Sequence, residues 1–117
     1  MTLDELIKLI KHQPERLAFA DVMAVIDRYY TYTETAFSNG LGEDAILNAA
    51  GTNAGSCRIF AFGKLQGLSE PQTLACFGQY YRDVLAAPNG DDHANIRAFM
   101  RHGWQGIEFS GTALVVR

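Results

Sequence analysis

The residues best suited to binding a ligand fall in one short segment near the C-terminus. His93 and Arg97 are four residues apart, so a helix would place them on one face, a turn apart, with Asn95 between them. An imidazole and a guanidinium near a helix N-terminus suit a carboxylate or a phosphate. The pattern predicts a binding site for a small anion at His93, Asn95 and Arg97, with Arg82 and Trp104 flanking it.

The same residues also allow a purely structural interpretation. Charged side chains near a helix start more often pair with a neighbour or cap the helix than bind a ligand. In that case His93 fills the first turn of the helix, and Arg97 pairs with one of three nearby aspartates, Asp83, Asp91 or Asp92.

A second hypothesis is an enzyme with a cysteine nucleophile. Cys57 follows the small polar segment 53–56 near a predicted helix start, where a thiol pKa is lowered and backbone donors face an oxyanion. With His93 as base and Asn95 as orienting group, the set describes a cysteine hydrolase. The competing interpretation is that Cys57 packs as a small hydrophobic residue. Cys76 lies in an apolar helix and is expected to be inert.

Other kinds of site lack their sequence patterns. Segment 51–56 contains neither G-x-G-x-x-G nor a Walker-type lysine, so phosphate cradling by this loop alone is weakly supported. Without paired cysteines or an H-E-x-x-H motif, we expect no metal site and no cofactor. The net charge is −3 and no run of like charges exceeds two residues. Nucleic-acid binding is therefore not expected, because it needs a clustered basic surface.

The expected location follows from the cysteines and the apolar runs. Two cysteines in 117 residues fit free thiols in a reducing compartment. The N-terminus lacks the basic and then apolar pattern of a secretory signal, and no apolar run approaches the roughly 20 residues that span a bilayer. We expect a soluble cytoplasmic protein without membrane contact. Its oligomeric state is left open.

The chain reads as one domain over residues 1–117, with mainly helical elements. Two capping boxes, Thr2 with Glu5 and Ser69 with Gln72, mark helix starts. Segment 57–65 is nearly continuously apolar, which suits a buried strand or a buried helix, and we favour the helix. Five helices are predicted. The first ends at Pro14, the second lies within 17–29, and the third covers 57–65. The fourth runs unbroken from Ser69 to Pro88, and the fifth runs from a cap at Asp91 or Asp92 to Gly103.

The remaining segments predict a small sheet. The alternation of aromatic residues and threonine over 30–35 favours a strand. Residues 38–40 are predicted to form a turn, and residues 43–49 are predicted to form one or two helical turns. The tail from Gly106 to Arg117 has the pattern of a short hairpin, of which one or both arms pair with residues 30–35. The expected fold class is α+β, with about five helices packed around a small antiparallel sheet.

Several short motifs, taken in order, resemble the HopJ type III effector family from about residue 19 onward. They are Phe19-x-x-Val22-Met23-x-x-Ile26-Asp27, Tyr30-x-Tyr32, Phe37-x-Asn39-Gly40, Asn53-Ala54-Gly55-Ser56-Cys57, Thr73-Leu74-x-Cys76-Phe77-Gly78, Tyr80-Tyr81-Arg82-Asp83-Val84-Leu85, Pro88-x-Gly90, His93-x-Asn95-Ile96-Arg97-x-Phe99-Met100 and Gly103-Trp104.

The resemblance implies a bacterial protein that is injected into host cells, and it implies no specific biochemical activity. We therefore favour a binding domain, for a host or bacterial protein or for a small anionic ligand, over an enzyme. The alternative is a housekeeping protein that stays in the bacterium. The capped apolar stripe at the N-terminus favours that alternative, because a docked helix differs from the disordered arm typical of secreted substrates.

Overall fold

The computed structural model describes residues 1–117 as an α+β fold dominated by helices, which confirms the expected class. Three 3₁₀ turns, Pro14–Arg16, Gly42–Asp44 and Gly103–Gly106, connect the regular elements. The α-helices are α1 (Leu3–His12), α2 (Phe19–Tyr29), α3 (Ala54–Gln66), α4 (Glu70–Ala75), α5 (Gln79–Ala86) and α6 (Ala94–His102). The strands are β1 (Tyr30–Tyr32), β2 (Phe37–Asn39), β3 (Ile46–Asn48), β4 (Glu108–Phe109) and β5 (Leu114–Val116).

The central element is α3, which confirms the helix predicted for the apolar segment. Ile59, Phe60 and Phe62 are fully buried, and they point to different sides of this helix. A helix that is buried all round has no apolar stripe, which is why periodicity could not separate it from a strand. By contrast, α1 has the predicted stripe and buries only Leu6 and Ile10.

The strands form two small antiparallel sheets. Strand β1 pairs with β5, with Tyr30 opposite Val116, so the predicted pairing of one arm of the tail with segment 30–35 is confirmed, and the strand covers residues 30–32. Strand β2 lies between β3 and β4. The hairpin predicted for the tail is wrong, because β4 and β5 join different sheets. Phe109 on β4 packs against Phe37 on β2, with 5.7 Å between the ring centroids, whereas Leu114 on β5 is buried next to β1. The apolar contacts of β4 and β5 therefore lie in different sheets.

Two further predictions are corrected around β2. Residues 38–40 do not form a simple turn, since Ser38 and Asn39 belong to β2. Residues 43–49 form a 3₁₀ turn and then β3 instead of helical turns. The reason is tertiary, because Asn39 is fully buried and donates its side-chain N–H to the carbonyl of Asn95 on α6.

The long helix predicted from Ser69 to Pro88 is broken into α4 and α5, which raises the count to six helices. Gly78 interrupts it with φ 59° and ψ −127°, a conformation that favours glycine. A Cβ at this position would lie 2.7 Å from the backbone nitrogen of Phe19. The break therefore lets the chain before α2 approach the helix pair closely. None of the six helices has the length and apolar character needed to cross a membrane.

Candidate functional site

A cavity of about 430 Å³ opens where the N-termini of α3 and α6 meet. Its lining contains no aspartate, glutamate, lysine or arginine. Polar groups come from both helix starts, and aromatic and aliphatic side chains form the remaining wall. The lining residues are Phe19, Ile46, Asn53, Gly55, Ser56, Phe77, Tyr80, His93, Ala94, Asn95 and Ile96.

Both helix starts at the cavity have an unusual backbone. Asn53 precedes α3 with φ 50° and ψ 46°, and His93 precedes α6 with φ 51° and ψ 50°. These are the only two non-glycine residues in the chain with positive φ. Left-handed backbone at such residues is disfavoured by roughly 1 to 2 kcal/mol and tends to occur at functional sites. The expected cap at Asp91 or Asp92 is wrong, since His93 occupies the cap position.

The backbone donors at these two starts are unsatisfied within their helices. The first helical bond of α3 runs from Cys57 N–H to the Asn53 carbonyl, and that of α6 from Arg97 N–H to the His93 carbonyl. The N–H groups of residues 54–56 and 94–96 precede these bonds, and no side chain caps either start. Neither first turn contains an acidic residue. Uncapped N–H groups at the positive ends of two helix dipoles favour a negatively charged ligand.

Four asparagines, which we call the asparagine cluster, hold the two helix starts together. Asn48 Oδ1 accepts from Asn53 Nδ2 at 2.7 Å and from Asn95 Nδ2 at 3.0 Å. Asn95 Oδ1 in turn accepts from Asn48 Nδ2 at 3.2 Å and from Asn39 Nδ2 at 3.0 Å. Three of the four are buried. Strands β2 and β3 thereby fix the starts of α3 and α6 relative to each other.

Aromatic rings form the wall beside the two helix starts. The Tyr80 ring lies 5.1 Å from the ring of Phe19 and 5.5 Å from that of His93, measured between centroids. A Cβ on Gly55 would come within 2.7 Å of Phe19 Cζ. Glycine at this position therefore lets the Phe19 ring lie directly against the first turn of α3.

Of the predicted anion-site residues, the structure brings His93 and Asn95 to the cavity and places Arg97 elsewhere. Arg97 is buried and donates from Nε to Asp92 O at 2.6 Å and from Nη2 to Asp92 Oδ1 at 2.7 Å. Its Nη1 donates to the carbonyl of Ala87 at 3.0 Å. The guanidinium also lowers the pKa of the Asp92 carboxyl. For Arg97 the structural interpretation therefore holds, because its guanidinium pairs with the aspartate Asp92.

Arg82 and Trp104, predicted to flank the site, do not line the cavity. Arg82 Nη1 lies 3.3 Å from the carbonyl oxygen of Leu17, to which it donates. Trp104 Nε1 donates to the carbonyl of Leu68 at 3.1 Å, and its ring packs edge-on against Phe99. Both side chains tie separate segments of the fold together instead of facing the two helix starts.

The cysteines lie in the core. Cys57 is fully buried, donates from Sγ to the carbonyl of Thr35 at 3.6 Å, and does not line the cavity, although its neighbour Ser56 does. Burial raises the pKa of the Cys57 thiol, and burial raises that of Cys76 to about 12. Burial therefore disfavours the thiolate at both positions. A hydrolase based on Cys57 and His93 has no geometric support, because His93 lines the cavity and Cys57 does not. No three His, Cys, Asp or Glu side chains lie close enough together to bind a metal ion.

Sequence reasoning missed Asn53, Ser56, Phe19 and Tyr80 as residues of the site. The available signal was the contrast between this helix start and the capping boxes elsewhere. Segment 53–56 forms the cap position and first turn of a long apolar helix, and it contains no acidic residue. No sequence pattern around His93 indicated that the second uncapped helix start, at this residue, faces the same cavity.

Two comparisons place the chain among known proteins. A family model described as HopJ type III effector protein matches residues 3–114. The crystal structure of a protein of unknown function, VPA0580, superposes with a TM-score of 0.94 and is 46% identical in sequence. That match covers 100% of this chain and 95% of the other. No curated protein matches the chain.

Proposed function

This chain belongs to the HopJ family, and we propose that it is a binding protein for a small anionic ligand held between the starts of α3 and α6. One observation carries the proposal. Two helix N-termini without side-chain caps and without acidic residues line a single cavity. Backbone N–H groups from residues 54–56 and 94–96 would bind the anion, and His93 and Ser56 would orient it.

The support for this proposal comes from the way the two starts are built. A helix start that serves only the fold is normally closed by a side chain or left to water. Here two helix starts with a disfavoured backbone conformation are fixed by buried asparagines. Loss of any hydrogen bond among these asparagines would lower the stability of the fold, because a buried polar group would be left without a partner. Donors that are held in place before binding lose little entropy when an anion arrives.

Ser56 offers a test that separates binding from folding. We expect Ser56→Asp to abolish binding of anions, because its carboxylate would repel the ligand and occupy the same N–H groups. The variant should be as stable as the wild type or more so, since an acidic residue in a first helical turn is favourable by about 0.5 kcal/mol. Ser110→Asp, which adds the same charge at an exposed position outside the cavity lining, is the matched control and should keep binding.

The measurement is a thermal-shift screen of carboxylates and phosphate esters on the wild type, followed by titration calorimetry on both variants. A ligand at a hundredfold excess over its Kd stabilises the folded state by about 2.7 kcal/mol, which gives a clear shift. Binding that survives in Ser56→Asp would place the anion elsewhere and overturn the proposal. The absence of any ligand in the screen would do the same.

Delivery into a host cell is a second candidate role, and the family description favours it. The binding partner in that case would be a host protein or a host anion. Because α1 buries Leu6 and Ile10 in the core, export would require this helix to detach first. Full-length chain with a translocation reporter at its C-terminus, expressed in a strain with a type III apparatus, tests the role. Retention, while a known effector is exported from the same strain, would indicate a protein that acts inside the bacterium.

A further inference from the structure

The charge and the lining residues of the cavity indicate which class of anion it can bind. This inference rests on the proposed function. We infer that the cavity selects an apolar monocarboxylate, that is, a carboxylic acid with an aromatic or branched aliphatic body and no amino group. The carboxylate would lie against the backbone donors of α3 and α6. The body would lie along the wall formed by Phe19, Phe77 and Tyr80.

The first argument is the balance of charge. Each helix N-terminus is equivalent to about half a positive charge, so two together offer about one. No lysine or arginine lines the cavity, and Arg97, which is four residues after His93, is bound to Asp92 at 2.7 Å. If His93 gains a proton, Asp92 Oδ2 at 3.7 Å from its Nε2 offsets that charge. A carboxylate matches the offered charge, whereas a phosphate monoester carries about −1.5 to −2 and exceeds it.

The second argument excludes an ammonium group on the ligand. Amino acids carry one beside their carboxylate, and burial of an unpaired charge is strongly unfavourable. No carboxylate lines the cavity to pair with it, and Asp92, the acidic residue beside His93, is already bound to Arg97. The two positive helix ends would also repel an ammonium at the position next to the carboxylate.

The third argument concerns the body of the ligand. The amide groups of Asn53 and Asn95 are committed to the asparagine cluster, so few side-chain donors remain for a ligand. Ser56 and His93 lie at the two helix starts, where the carboxylate would bind, and the side chains of the remaining wall are aromatic or aliphatic. The Tyr80 ring lies against those of Phe19 and His93. An apolar body buried against these rings gains hydrophobic free energy, whereas a sugar or a second anionic group would lose hydration without finding partners.

Four probes that share one phenyl skeleton test the inference on the full-length chain. They are 3-phenylpropionate, L-phenylalanine, 2-phenylethyl phosphate and the neutral 3-phenylpropanamide. In titration calorimetry at pH 7 and low salt we expect 3-phenylpropionate to bind at least about tenfold more tightly than each of the other three. Amide chemical shifts should place its carboxylate at Gly55, Ser56 and Ala94. Binding should be lost in Ser56→Asp and kept in Ser110→Asp, which adds the same charge at an exposed position outside the cavity lining.

The possible outcomes distinguish a failure of this inference from a failure of the proposed anion-binding function. Tighter binding of 2-phenylethyl phosphate, with loss in Ser56→Asp, would overturn the carboxylate class and keep the anion site. Equal binding of L-phenylalanine and 3-phenylpropionate would overturn the exclusion of amino acids alone. Binding of the neutral amide as tightly as the carboxylate would overturn both the inference and the proposed function. Binding of no probe would overturn the inference, whereas the proposed function would be overturned only if the screen of carboxylates and phosphate esters also gave no ligand.

Discussion

Helices α1 and α4 begin in one way, and helices α3 and α6 begin in another. At α1 the hydroxyl of Thr2 accepts from Glu5 N–H at 3.1 Å, and the Glu5 carboxylate accepts from Thr2 N–H at 3.0 Å. Ser69 and Gln72 form the same reciprocal pair at α4. At α3 and α6 no side chain caps the start, and the cap residues Asn53 and His93 are left-handed.

The difference shows what each kind of start depends on. A capping box completes its own hydrogen bonds within four residues, so it needs no help from the rest of the chain. The starts of α3 and α6 instead leave their N–H groups open and are held in place by β2 and β3 through the asparagine cluster. A closed start serves the stability of its helix, and an open start is available for binding.

The largest effect is expected where an open start loses its distant support. Asn95→Ala should lower the free energy of unfolding by about 3 kcal/mol, because buried amide groups of Asn39 and Asn48 would lose partners. Urea denaturation measures this. Asn89→Ala, at an exposed position, is the control and should change stability by less than about 0.5 kcal/mol. Similar values for both variants would mean that the cluster does not hold the two starts.

An intermediate effect separates the closed from the open starts directly. Ser69→Ala should cost about 1 kcal/mol of stability, because it removes the cap of α4. Ser56→Ala, in the first turn of α3, should stay within about 0.5 kcal/mol, because the Ser56 hydroxyl caps nothing. Paired thermal and urea unfolding of the two variants measures the difference. An equal loss would show that Ser56 closes the start of α3 in solution and that its donors are not free.

The smallest effect is a dependence on pH at a closed start. The backbone N–H of Thr2 holds the pKa of Glu5 below its usual value of 4.5. A lowered pKa means that Glu5 contributes its stability above the unfolded-state value and loses it as the pH falls through 4.5 and below. Glu5→Gln keeps a capping side chain that does not titrate. As the pH falls from neutral through 4.5 and below, the wild type should therefore lose stability relative to Glu5→Gln. A difference that stays constant with pH would contradict this.

How far the sequence could predict the fold depended on the range of the interactions involved. Thr2, Glu5, Ser69 and Gln72 define two helix starts through contacts three residues apart, and both predictions are confirmed. The break at Gly78 could not be predicted, since the residue stands in a favourable helical pattern. Only the close approach of the backbone at Phe19 gives that glycine its role.

The candidate site was predictable only in part, for the same reason. His93 and Asn95 were identified from their types, and both line the cavity. Arg97 was chosen by the same reasoning, but the fold directs its guanidinium to Asp92 and to the carbonyls of segment 87–92. Spacing on a helix tells which side chains share a face; it does not tell which acceptors the rest of the chain brings to them.

The sequence by itself determined the helical class and the two capping boxes, because capping bonds and apolar periodicity act between near neighbours. For α3 it favoured the helix without excluding a strand. The tertiary structure decided which strands pair, where the long helix breaks, and that Asn53 and His93 begin helices at one cavity. These two residues are distant in the chain, and buried asparagines on β2 and β3 bring their helices together. Such contacts depend on the whole packing arrangement, and no short segment encodes them alone.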